Sequence, residues 1–130
     1  MKKLACLLGV IAVLASCKNI YVKPTVHFVI HNTSSKSIKE AVISTEGYGR
    51  IYDLSRVATI LPGSQKSIES NLRDSREIKE GQYKVSVVLD TEDTLQEGFG
   101  YFTNGVDPSR DKTYTITVTD TAIDVKYGMK

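Results

Sequence analysis

Hydrophobic and polar residues alternate with a period of two along most of the chain beyond residue 24. The clearest run covers residues 83–89, in which every second residue is tyrosine, valine or leucine. Residues 25–31 and 114–118 repeat this pattern, which is typical of β-strands with one face on a core. Further strands are predicted within residues 38–45, 48–60, 65–72, 95–103 and 123–127.

Turn-forming residues separate these runs. Leu61-Pro62-Gly63-Ser64 is one such turn, because proline fixes φ and glycine permits a positive φ. Residues 90–93 close another strand, and the charged stretch 73–80 is the one place where a helical turn is expected. Strands separated by turns at intervals of about eight to twelve residues indicate an all-β protein. The fold predicted is an antiparallel β-sandwich of about seven to eight strands.

The first residues differ from the rest of the chain and have the features of a signal peptide. Lys2 and Lys3 precede an uncharged, mostly apolar run over residues 4–15. As a helix, that run would extend only ~18 Å at ~1.5 Å per residue, which is too short for a hydrocarbon core of ~30 Å. A cleaved signal is therefore expected, and not a stable membrane span.

The junction Leu14-Ala15-Ser16-Cys17 resembles the lipobox of bacterial lipoproteins. The resemblance implies cleavage before Cys17, a diacylglycerol on the thiol and an acyl chain such as palmitate on the new amine. Lys18, in place of aspartate, is similar to the signal for sorting to the outer membrane. The alternative is an ordinary secretory signal followed by a chance cysteine.

This interpretation divides the chain into a signal peptide (residues 1–16), a lipidated tether (17–23) and a β-sandwich domain (24–130). Residues 18–23 reach at most ~20 Å at ~3.3 Å per residue, so the domain is expected to stay close to the bilayer. The remaining question is which face of the outer membrane carries it, and the periplasmic and surface faces both stay open.

Cleavage also changes the charge and the cysteine count. The chain of 130 residues has 17 Lys and Arg against 15 Asp and Glu, and losing Lys2 and Lys3 leaves 15 against 15. A balanced charge gives no reason to expect a nucleic-acid partner. Cys6 is lost with the signal and Cys17 carries lipid, so disulfide and thiol chemistry are not expected in the domain.

Three segments resemble immunoglobulin-like and fibronectin-like modules of bacterial cell-surface proteins. They are residues 32–34, residues 61–64 and the run 81–87 that leads to Asp90. Gly81 and Tyr83 resemble a tyrosine corner, which implies that the Tyr83 hydroxyl bonds to nearby backbone. The cysteines and tryptophan of antibody domains are missing, so the resemblance implies a sandwich with surface-binding tendencies and no site residues.

Candidate catalytic and metal-binding residues are few. His27 and His31 are four residues apart, which on a strand places them ~13 Å apart, too far for a shared metal. The acidic residues Asp90, Glu92, Asp93 and Glu97, and likewise Asp107 and Asp111, are interpreted as solvated hairpin tips because calcium-loop spacing is missing. No nucleophile elbow or phosphate loop appears, so no catalytic residue, metal or cofactor is predicted and an enzyme is not expected.

Two surface features are candidates for function. Tyr48, Arg50 and Tyr52 place aromatic faces beside a guanidinium, which suits stacking on a sugar or clasping a peptide, although half-buried tyrosines at a rim would look the same. Thr94 and Thr121 follow aspartate and precede an apolar residue, a pattern similar to the O-glycosylation sites of exported proteins in one group of Gram-negative bacteria.

Together these features predict an outer-membrane-anchored lipoprotein that acts as a non-catalytic binding, adhesion or envelope-assembly module. Its expected partners are the membrane, through lipid on Cys17, and a protein or glycan. The alternatives are an accessory subunit of a glycan-uptake or secretion system, a purely structural envelope protein and, from another class, a small enzyme.

Overall fold

The computed structural model describes residues 25–75, 78–104, 107 and 112–129. The predicted signal peptide, Cys17, the tether and Asp111 lie outside these residues. In the described part of the chain, no helix is long and apolar enough to cross a membrane. The described elements are β1 (Thr25–Asn32), β2 (Ile38–Gly47), β3 (Arg50–Ile60), β4 (Gln65–Asn71), a 3-10 helix (Leu72–Ser75), β5 (Glu80–Leu89), β6 (Thr94–Thr103), β7 (Lys112–Val118) and β8 (Ile123–Met129).

Two four-stranded sheets form a sandwich, in the orders β4-β1-β7-β8 and β3-β2-β5-β6. The predicted all-β sandwich is confirmed. Strand pairing among the described residues is antiparallel except between β1 and β7, which run parallel with His27 opposite Thr113. This parallel pair follows from the chain path, because β1 and β7 both start at the same end of the sandwich.

The two ends of the sandwich carry different connections. We call the end at which β1 begins the proximal end; it holds the β2–β3 turn, the 3-10 helix and the β6–β7 connection. The opposite, distal end holds the loops 33–37, 61–64, 90–93 and 119–122. Since β8 ends where β1 begins, the N-terminal and C-terminal strands both meet the proximal end.

The core lies between the sheets and follows the predicted alternation closely. The four apolar residues at alternating positions of the 83–89 run, Tyr83, Val85, Val87 and Leu89, are fully buried, as are Phe28 and Ile30 on β1. Strand β6 departs from the alternation, because Phe99 and Phe102 are both buried although they are three residues apart. A register shift opposite β5, between Gly81 and Tyr83, turns the strand so that both phenylalanines face inward.

Two of the predicted turns adopt standard β-turn geometries. In the 61–64 turn, Gly63 has φ 74° and the Ser64 amide donates to the Leu61 carbonyl at 3.0 Å, as in a type II turn. In the β2–β3 turn, Tyr48 has φ 52° and Gly49 has φ 73°, as in a type I′ hairpin. A tyrosine in this left-handed conformation is unusual, and its side chain is held by the contacts described below.

Strands β2 and β5 approach each other closely at the proximal end. A Cβ on Gly81 would lie 2.1 Å from the Glu46 carbonyl oxygen, and one on Gly47 would lie 2.3 Å from the Glu80 carbonyl oxygen. Both obstacles are backbone atoms, which cannot rotate away. This part of the sheet therefore requires glycine on both strands.

We expect Gly81→Ala to lower the free energy of unfolding by about 2–3 kcal/mol, because the added methyl must push two central strands apart. The matched control is Gly128→Ala, where an added Cβ meets nothing within 4 Å. Urea unfolding of the two variants should therefore separate them. Equal stabilities would contradict the close approach.

At the distal end, the buried side chain of Asn32 joins three segments. Its amide nitrogen donates to the carbonyls of Lys36 and Ile60, each at 2.8 Å. Its amide oxygen accepts from the Ser34 amide at 3.1 Å and from the Ser34 hydroxyl at 2.6 Å. The 61–64 turn is attached to the same residue, because the backbone N–H of Asn32 donates to the Ser64 carbonyl.

Replacing Asn32 with alanine should lower the free energy of unfolding by about 3 kcal/mol, because the buried bond to the Ile60 carbonyl and the two buried bonds from Ser34 are lost. Asn71→Ala is the control: the Asn71 side chain accepts an exposed bond from the Arg73 amide at 3.0 Å, and the loss of that bond should cost about 1 kcal/mol or less. Thermal or urea unfolding measures both. An Asn32 variant no weaker than the Asn71 variant would refute this role.

Candidate functional site

A buried polar cluster joins the two sheets at the proximal end. The hydroxyls of Tyr83 on β5 and Tyr114 on β7 donate to the same carboxylate oxygen, Oδ2 of Asp107, at 2.8 and 3.0 Å. Burial, followed by the Asp107 charge, raises the pKa of Tyr83, so its hydroxyl remains a donor. This arrangement can hold Asp107 against both sheets.

Two predictions about these residues are wrong. The tyrosine-corner resemblance implied that the Tyr83 hydroxyl bonds to backbone, whereas it donates to the Asp107 side chain. Asp107 was expected at a solvated loop tip, yet it is 8% exposed. Its burial follows from the two tyrosine donors, which replace the water that a carboxylate otherwise requires.

A second cluster lies on the surface of the same end. The carboxylate of Glu80, the first residue of β5, accepts the Tyr48 hydroxyl at 2.9 Å and the Tyr101 hydroxyl at 2.5 Å. These bonds, Tyr101's first, lower the pKa of Glu80, and they raise the pKa values of Tyr48 and Tyr101. The cluster connects the β2–β3 turn to β6 across the start of β5.

Most of the large exposed hydrophobic side chains of the described residues lie at the same end as this cluster. Six occur among the described residues, and five of them lie at the proximal end, within three residues of a strand end or in the β2–β3 turn. Tyr48 is the most exposed, at 77%. We call these five residues the tyrosine rim: Tyr48, Ile51, Tyr52, Tyr101 and Tyr127.

The three residues predicted to contact a ligand, Tyr48, Arg50 and Tyr52, lie in the β2–β3 turn and at the start of β3. Tyr48 occupies the hairpin turn, while Arg50 and Tyr52 lie two residues apart on β3, with Tyr52 opposite Thr45. The Tyr48 hydroxyl donates to Glu80, the first residue of β5. Ligand contact by these three residues stays a prediction.

Sequence reasoning missed Glu80, Tyr101 and Tyr127 as parts of this surface. Glu80 is one of several charged residues in the stretch 73–80, and nothing in the sequence distinguishes it from the others. The register shift between β5 and β6 means that simple alternation does not predict which side of β6 carries Tyr101. Tyr127 is opposite Tyr114 on the core side of β8, yet it is 63% exposed because β8 is an edge strand. The alternation of Ile123, Val125 and Tyr127 with polar residues was the one sequence feature that indicated the position of Tyr127.

The two histidines lie half-buried on β1. His27 Nδ1 is 3.5 Å from Glu69 Oε2 on the neighbouring strand β4, and His31 is opposite Gln65. Among the described residues, no group of three or more His, Cys, Asp or Glu side chains is placed to hold a metal ion.

The acidic turn between β5 and β6 is paired with lysines. Lys36 Nζ is 3.1 Å from Asp93 Oδ2, and Lys39 Nζ is 2.5 Å from Glu92 Oε1. Bonds from the Thr91 hydroxyl and then from Lys36 lower the pKa of Asp93. Asp90 accepts the Ser37 amide at 3.1 Å, so this turn is attached to the 33–37 loop.

The two predicted glycosylation residues, Thr94 and Thr121, are exposed and both lie at the distal end. Thr94 is the first residue of β6, and Thr121 lies in the loop between β7 and β8. The neighbouring Asp120 accepts the Ser35 amide and hydroxyl, both at 2.9 Å, and these bonds lower its pKa. Modification of either threonine stays a prediction.

No protein-family model matches the chain, and no curated protein matches it. Among solved structures, it is similar to a protein from Eubacterium rectale (TM-score 0.50, 11% identity, 83% of this chain and 92% of that one). It is also similar to (S)-allantoin synthase (TM-score 0.50, 7% identity), covering 82% of this chain but 45% of that one. The membrane-binding domain of pneumolysin aligns more weakly (TM-score 0.37, 9% identity, 82% of this chain and 97% of that one). The first two likenesses show a shared fold alone. The third supports no argument.

The Glu80 cluster makes a prediction that depends on pH. In Tyr48→Phe/Tyr101→Phe, the pKa of Glu80 should rise toward its ordinary value, because both hydroxyl donors are lost. At pH values above the ordinary pKa of Glu80, the free energy of unfolding should be higher for the wild-type protein than for this variant. The difference should shrink as the pH falls through the lowered pKa that Glu80 has in the wild-type protein.

NMR titration of the Glu80 carboxyl carbon measures the pKa directly. Tyr52→Phe serves as the control, since it removes a rim hydroxyl other than the two that donate to Glu80. An unchanged Glu80 pKa in the double variant would show that the two hydroxyls do not hold the carboxylate.

Proposed function

We propose that this chain is a lipoprotein of the bacterial outer membrane, and that its β-sandwich is a non-catalytic binding or envelope-assembly module. One observation carries the proposal: Lys2 and Lys3, a 12-residue uncharged run and the lipobox-like Leu14-Ala15-Ser16-Cys17 follow one another in the order of a lipoprotein signal. Acyl chains on Cys17 hold the chain at the membrane, since each buried CH₂ contributes ~0.8 kcal/mol.

The position of the fold supports this arrangement. Strand β1 begins at Thr25, eight residues after Cys17, so little chain separates the lipid from the sandwich. A module held this close to the bilayer acts on partners in the envelope itself. A protein or glycan partner then meets the exposed loops or the edge strands.

The edge strands differ in their suitability for pairing with a partner strand. The pairings β3–β2 and β6–β5 each contain a register shift, while β4–β1 and β8–β7 are continuous. An irregular edge resists strand addition, and a regular edge permits it. The sheet β4-β1-β7-β8 therefore offers the edges on which an assembly partner would add a strand.

The proposal predicts that Cys17→Ser abolishes lipid attachment, because serine cannot form the thioether. In cells given labelled palmitate, the wild-type chain should carry label, separate into the detergent phase and have a mass equal to residues 17–130 plus lipid. The control is Cys6→Ser, which changes the other cysteine of the chain within the predicted signal. Label retained by Cys17→Ser, or a mature chain beginning elsewhere, would refute the proposal.

A further inference from the structure

The tyrosine rim lies at the end of the sandwich at which β1 begins. Its tyrosines belong to the β2–β3 turn and to strands β3, β6 and β8, so they come from both sheets. The remaining large exposed hydrophobic residue of the described part, Leu61, lies at the distal end. Exposed apolar surface of this kind marks an interaction site when it is gathered in one region.

The length of the N-terminal segment limits which surface can reach the membrane. From Cys17 to Thr25 there are eight residue steps, which span at most ~26 Å at ~3.3 Å each. Strand β5 has 10 residues and is ~33 Å long at the same rise. An anchored sandwich standing on its distal end would need a longer tether, whereas the proximal end lies within reach.

The side chains of the rim suit a lipid surface. Tyrosine combines an apolar ring with a polar hydroxyl, and it is enriched at membrane interfaces for this reason. The bonds to Glu80 hold Tyr48 and Tyr101 in place, so less side-chain entropy is lost on contact. The mature side chains balance at 15 basic and 15 acidic, so aromatic contact has to replace bulk charge attraction.

We propose that the tyrosine rim docks on the phospholipid surface to which the chain is anchored. The proposal rests on the lipid attachment of Cys17 proposed above, and it adds an orientation. The proximal end faces the headgroups, and the loops 33–37, 61–64, 90–93 and 119–122 face away from the bilayer. Partners then meet the distal loops, where Leu61, Thr94 and Thr121 are exposed.

The chain contains no tryptophan, so a single substitution supplies a unique fluorophore. Tyr48→Trp and Tyr101→Trp place it on the rim, and Leu61→Trp places a matched probe at the distal end. Each full-length lipidated chain is incorporated into vesicles of phosphatidylethanolamine and phosphatidylglycerol, with brominated phosphatidylcholine as the quencher. Circular dichroism identifies any variant that fails to fold. If one of the two rim variants fails to fold, the other still tests the docking.

The expected result is a shift to shorter wavelength and a loss of emission for both rim probes, with neither change for Leu61→Trp. Unquenched rim probes, or quenching of Leu61→Trp equal to theirs, would overturn the docking. Flotation of wild type and Cys17→Ser with the vesicles tests the anchor separately. If native Cys17 carries no lipid, coupling a maleimide lipid to Cys17 of Cys6→Ser chains supplies the anchor, and the same comparison of probes still decides the orientation.

Discussion

The structure of the proximal end depends on the hydrogen bonds from Tyr83 and Tyr114 to the buried carboxylate of Asp107. The two tyrosines come from different sheets, so one acceptor joins the halves of the sandwich. Phe28 packs beside both rings, with its centroid 5.4 Å from that of Tyr83 and 5.8 Å from that of Tyr114. Contacts between the aromatic rings and the hydrogen bonds to Asp107 therefore both stabilise the proximal end of the core. A buried carboxylate without these donors would be costly there.

The exposed rim is built on this buried cluster through β5. Glu80 and Tyr83 lie three residues apart on that strand, and Gly81 between them allows β2 to approach closely. Because Tyr83 is fixed in the core, Glu80 is fixed on the surface, where it accepts the hydroxyls of Tyr48 and Tyr101. The distal end is organised differently, by an uncharged amide, that of Asn32, bonded to loop backbone.

Much of this fold could be predicted from sequence, because alternation and turn chemistry are local. The strand at residues 83–89 and the turn at 61–64 follow from neighbouring residues alone. The parallel pairing of β1 with β7 could not, since it joins segments about 85 residues apart, as in the bond from the Thr33 amide to Val118. The same holds for the site. Tyr48 was identifiable as an exposed aromatic residue. That Tyr48 and Tyr101 both donate to the Glu80 carboxylate, however, depends on the order of the strands in the sheet and on a register shift.

The contrast between the two ends bears on function. Distal loops are cross-linked by short polar bonds, such as those from Ser35 to Asp120 and from Lys36 to Asp93. Loops held in this way lose little entropy when a partner binds, so they form a preorganised surface. At the proximal end, four of the five large exposed hydrophobic groups of the described residues are phenol rings, which tolerate many apolar neighbours without demanding one geometry. A lipid surface has no fixed geometry to recognise, whereas a protein or glycan does. This distribution of rigid polar loops and aromatic side chains fits the orientation proposed above, in which the selective contact lies at the distal end and the nonselective contact at the proximal end.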